Sequence, residues 1–70
     1  MILRFEYQIL MDDLCDHYRR FGFRVQRVAP GLVDVGYAVP AAPEDESREV
    51  EWHLRVWETL HPEAPAEIVR

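Results

Sequence analysis

The chain has 70 residues, 13 acidic and eight basic, for a formal net charge of −5. That length sets an expectation of one domain over residues 1–70, burying only about 60% of the surface its unfolded form exposes. The acidic balance argues against nucleic acid as a partner, because phosphates want a basic surface. Apolar residues make up 49% of the chain, which excludes disorder as the main reading, and no run approaches the roughly 20 apolar residues of a membrane span.

Domains this small draw on disulfides, a structural metal or a partner subunit for support. Cys15 is the sole cysteine, so no internal disulfide can form, and the paired-cysteine spacing of a zinc site is missing. Elimination points to self-association. The opening MILRFEYQ carries charges inside its apolar run and leads into an acidic segment, so it lacks the layout of a signal peptide; a cytoplasmic location is the expectation.

In chain order, Leu3, Phe5, Tyr7 and Ile9 alternate with Arg4, Glu6 and Gln8, a period of two that predicts a half-buried strand over residues 2–8. A helix is the competing reading, because Leu3, Tyr7, Leu10, Met11, Leu14, Tyr18 and Phe21 also share one helical face, but it would leave Ile2, Phe5 and Ile9 on the wrong side. Residues 11–21 predict a helix: Asp12, Asp13 and Asp16 crowd its start and Arg19 and Arg20 its end, as the macrodipole prefers, and Gly22 follows as a stop. FRVQRVA and LVDVGYAV then flank Pro30 and Gly31, which suit a type II turn, so a hairpin is expected. On its second arm Val33, Val35, Tyr37 and Val39 face one way, and Leu32, Asp34, Gly36 and Ala38 the other.

PAAPEDES reads as a flexible acidic loop, about residues 41–48, or as an acidic helix start. The stretch EVEWHLRVWE, residues 49–58, decides the rest. As a strand over 49–57 it sends Val50, Trp52, Leu54 and Val56 inward with Glu51, His53 and Arg55 outward. As a helix it gains Glu44–Arg48 and Glu51–Arg55 pairs but puts Glu49 and His53 in its apolar arc, and the strand is preferred for that reason. The tail, 62–70, is expected to be extended or a single turn.

The fold class expected is therefore α+β, in the order β-α-β-β-β, with one helix packed on one face of a four-stranded sheet. The first crossover should leave strands 1 and 2 parallel, adjacent or with one strand between them. The alternative, if 49–57 is helical, is α-β-β-α. Strand parity puts Trp52 in the core and Trp57 on the open face, where Gly36 and Ala38 make a shallow floor rimmed by Trp57, Arg55, His53, Arg24 and Arg4; the alternative is that Trp57, at the strand end, folds over the rim or is covered by the tail. Trp and Arg are the residues enriched at interface hot spots.

Chemistry is sparse. Asp13 and His17 stand at i,i+4, and Cys15, His53 and His61 complete the possible metal ligands, but Asp13 with His17 reads as a solvated helix pair and Cys15 as a small buried hydrophobe. Cys15, Ser47 and Thr59 fall in no catalytic pattern, and Gly22, Gly31 and Gly36 form no phosphate loop. No cofactor, metal or catalytic residue is expected, and an enzyme is the less favoured class. The function expected is a small protein-interaction or regulatory module that binds itself or another protein through the open sheet face. The rival is an oligomeric small-ligand binder with Trp57 as a stacking platform.

Overall fold

The computed structural model describes residues 1–39 and 42–69. Its elements are β1 (Ile2–Arg4), a 3-10 turn (Gln8–Leu10), α1 (Met11–Arg20), β2 (Phe23–Ala29), β3 (Leu32–Tyr37), α2 (Pro43–Leu60) and β4 (Glu67–Val69). The sheet order is β2-β3-β1-β4, antiparallel at every pairing. Hence β1 and β2 run parallel with β3 between them, and β3 and β4 run parallel with β1 between them: two interleaved split β-α-β units. The α+β class, the four-stranded sheet and the parallel relation of the first two strands agree with the sequence reading.

The helices lie on one side of the sheet over a single core. Leu3, Phe23, Val33 and Val35 supply its sheet side, and Leu14, Tyr18, Val50, Leu54 and Trp57 its helical side. On α1 the buried Met11, Leu14, Cys15 and Tyr18 recur at the i, i+3, i+4, i+7 spacing of a half-buried helix. The Tyr18 hydroxyl donates to the Val50 carbonyl at 2.7 Å and ties the two helices together. Phe21 ends the helix and Gly22 takes φ +87°, while Gly31 takes φ +77° in the two-residue loop between the paired Ala29 and Leu32. These are the two positions where the chain needs glycine's access to positive φ.

Residues 49–57 are not a strand. They belong to α2, and the fourth strand is β4 in the tail. The helix begins with Pro43 in its first turn, where no amide donor is required, and with Glu44, Asp45 and Glu46 at the positive end of the dipole. Ion pairs Asp45–Arg48 (3.6 Å) and Glu51–Arg55 (3.3 Å) follow along its outer surface. The inward residues are Val50, Leu54 and Trp57, spaced i, i+4, i+7. The two residues that conflicted with a helix have specific places. Glu49 sits at the margin, where it accepts a hydrogen bond from the Tyr37 hydroxyl, and His53 is half-buried among aromatic rings.

Two further expectations change with this. Residues 43–48 of the supposed acidic loop form the first turns of α2; residues 40 and 41, and residue 70 of the tail, lie outside the described residues. The strand expected over 2–8 stops at Arg4. Phe5 remains buried and its amide donates to the Gly31 carbonyl at 2.7 Å, but the chain then turns through the 3-10 segment directly into α1, leaving Ile9 exposed.

Candidate functional site: an aromatic ridge on the helical layer

The helical register of α2 exchanges the roles of the two tryptophans. Trp57 is 2% exposed. Its ring meets the Phe5 ring edge-on at 5.8 Å and lies tilted over His61 at 3.9 Å, and its Nε1 donates to the Ala64 carbonyl at 3.3 Å. Trp52 is 61% exposed. The expectation that Trp57 stands on an open face is overturned, because parity of two assigns faces in a strand and 3.6 residues per turn assigns them in a helix.

The predicted constellation does not assemble. Arg4, Arg24 and Gly36 share the uncovered sheet face, whereas His53, Arg55 and Trp57 belong to α2 on the opposite side. The sheet face is occupied by its own ion pairs: Arg4 donates to Glu67 at 3.0 Å and Arg24 to Asp34 at 3.3 Å. Partial burial pushes the Asp34 carboxyl up, but hydrogen bonds from the N-terminal ammonium and Arg24 outweigh that and hold it below its ordinary value. Gly36 offers no open floor, since a Cβ built there would lie 2.9 Å from an Arg24 Nη2 and 3.3 Å from a Glu46 oxygen. Ala38 lies past the end of β3, exposed, and Arg55 points outward with its guanidinium on Glu51.

What α2 presents instead is an apolar stripe at i, i+4, i+8. Trp52 (61% exposed), the half-buried Val56 and Leu60 (64% exposed) run along its outer surface. Phe21, at the end of α1 and 54% exposed, joins this stripe through His53: the Phe21 and His53 rings lie 4.5 Å apart at 34°, and Trp52 meets His53 edge-on at 4.9 Å. Sequence reasoning missed all four apolar residues. The signal was present in the spacing 52, 56, 60, which becomes visible only once the segment is read as a helix.

Beneath the ridge the histidines converge. His17, on α1 and 7% exposed, lies 5.6 Å from the His53 ring and 6.2 Å from the Trp57 ring. His17 Nε2 and His53 Nδ1 are buried without a hydrogen-bond partner. Burial holds both imidazoles below their usual value of 6.5; His53 adds to the effect on His17, while Glu49 pulls His53 partly back. Glu49 is itself engaged by Tyr37, whose phenol this hydrogen bond pushes up to about 12. A cleft of about 200 Å³ opens beside His17, between Asp13, Asp16 and Arg20 of α1 and Leu60 and His61 of α2.

Catalytic chemistry has little to work with here. Cys15 is wholly buried and the Thr59 hydroxyl donates to the Arg55 carbonyl at 3.0 Å. Among the described residues no three histidine, cysteine or acidic side chains are disposed to hold a metal ion, and no helix is long and apolar enough to cross a membrane. A wider hollow of about 470 Å³, open to solvent, is lined by Arg4, Glu6, Tyr7, Glu63 and Glu67, with Arg4 donating to Glu67 within it. Comparison with protein-family models, with curated proteins and with solved structures returns no match.

Proposed function

We propose that the protein is a small cytoplasmic interaction module that associates with a second copy of itself by burying the ridge of Trp52, Val56, Leu60 and Phe21. The observation that carries this reading is a tryptophan more than half exposed at the head of an apolar stripe on a regular helix. A single surface hydrophobe needs no explanation, whereas a contiguous apolar patch marks a contact surface, and tryptophan is the residue most enriched where contacts carry binding energy.

Three features favour a second copy as the occupant. With one cysteine these 70 residues can form no internal disulfide, and a subunit contact is one way for so small a domain to enlarge its core. Beside Leu60 the cleft is lined by both signs of charge, Arg20 with Asp13 and Asp16, so a two-fold partner can set unlike charges against each other. The accessible surface totals 4600 Å², and a stable interface takes about 800 Å² per partner, a share the helical layer can provide. The open sheet face is the weaker site because its arginines already have carboxylate partners, and the burial of Trp57 removes the stacking platform of the ligand-binding alternative.

Sedimentation velocity over a concentration series tests the reading. The wild type should shift from monomer to dimer, and Trp52→Ala should raise the dissociation constant at least tenfold, as removal of a hot-spot side chain does. A wild type that stays monomeric at high micromolar concentration, or a Trp52→Ala variant that associates equally well, overturns it.

A further inference from the structure

We propose that His17 and His53 form an acid-sensitive latch between α1 and α2, which holds the aromatic ridge in its docking geometry when both are neutral and releases it when they are protonated. The control of docking rests on the self-association reading above; the latch itself rests on the seam between the helices.

His17 of α1 meets His53 of α2 and His61 at the C-terminal cap of that helix along this seam. His17 is desolvated by burial and faces the His53 ring at 5.6 Å, with Arg20 and His61 nearby; the charges of these three oppose a proton on it, and a hydrogen bond to the His53 backbone offsets them only in part. Asp13 and Asp16 lie on the same helix as His17, exposed on the rim of the cleft that it lines. On α2, Glu49 is the one carboxylate that favours charge on His53, and Tyr37 from β3 already holds it. Glu63 stands 3.7 Å from His61 and serves that ring. Toward the sheet His53 meets the uncharged Phe23 and Tyr18 rings. His17 Nε2 and His53 Nδ1 are buried with no hydrogen-bond partner, and protonating both rings would set like charges 5.6 Å apart between ring centres with no acceptor placed for either nitrogen.

The direction in pH follows. Both folded-state values lie below the ordinary 6.5, so the folded chain binds fewer protons than the unfolded chain as pH falls through this range. Stability contributed by the seam is complete above about 6.5 and is lost progressively below it, down to the lowered folded values. Because Trp52 and Phe21 both rest on His53, the ridge loses its support in the same window.

Two measurements on the intact chain test the latch. In denaturant titrations at a protein concentration low enough to keep the wild type monomeric, the midpoint should fall between pH 7.5 and 5.5, and the double variant H17F/H53F, neutral at every pH, should show a clearly smaller fall. Ring-proton NMR titration of the wild type covers the case in which the double variant does not fold: both rings should titrate below the free-imidazole value. A wild-type midpoint that does not move, a double variant that falls as steeply, or either ring titrating at or above 6.5 overturns the latch. The link to docking is read by sedimentation of the wild type at both pH values, where acidification should raise the dissociation constant roughly tenfold or more. An unchanged dissociation constant overturns that link, while a wild type monomeric at neutral pH sinks the self-association reading and the control of docking with it, leaving the seam itself to be judged by the first two measurements.

Discussion

At the scale of single residues, the two tryptophans are the sharpest division in the molecule. Trp57 fills the space between the Phe5 ring, His61 and the Ala64 carbonyl, and truncating it would leave a void the size of an indole with an orphaned carbonyl at its edge. Trp57→Ala should therefore cost about 3–5 kcal/mol, a large part of what so small a domain has. Trp52→Ala, on the outer face of the same helix, should change the stability of the monomer by no more than about 0.5 kcal/mol. Chemical denaturation of both variants at low concentration checks the pair, and a fragile Trp52→Ala beside a robust Trp57→Ala would mean that α2 is rotated about its axis.

The element scale explains how that division escaped a reading of the sequence. Val50, Trp52, Leu54 and Val56 alternate, and Val50, Leu54 and Trp57 repeat at helical spacing, so the same ten residues satisfy both periods and each period buries a different tryptophan. The deciding signs lay upstream. Pro43 and three acidic residues form a helix start, and the uninterrupted run from Pro43 to Leu60 is 18 residues long, beyond the usual 3–10 of a strand. By contrast α1 was legible because its charges, apolar face and glycine stop agree, and the β2–β3 hairpin because Pro30 and Gly31 permit one turn chemistry. The end of β1 at Arg4 was not legible, since the alternation of Tyr7 and Ile9 continues through residues whose backbone turns away to enter α1. Hydrogen exchange tests the helix directly: amides from Ser47 to Leu60 should be protected as a block, while an unprotected stretch over 44–51 would return that segment to the loop it resembles by composition.

For the whole molecule, the fold separates two surfaces by chemistry. The open sheet face balances its charges internally through Arg4–Glu67 and Arg24–Asp34, whereas the helical layer carries exposed aromatic and aliphatic side chains over the buried His17 and the half-buried His53. The sequence reading set Trp57 on the open sheet face and Trp52 in the core, and the structure reverses the two because that assignment depended on the element type of residues 49–57. The central claim is that Trp52 is open to water in the monomer and covered in the dimer. Trp57→Phe leaves Trp52 as the only indole, and its emission and acrylamide quenching can be followed over a concentration series that spans the association. The account predicts red-shifted, readily quenched emission at low concentration that becomes blue-shifted and protected as the protein is concentrated; emission that stays red-shifted and fully quenchable at high micromolar concentration would contradict it.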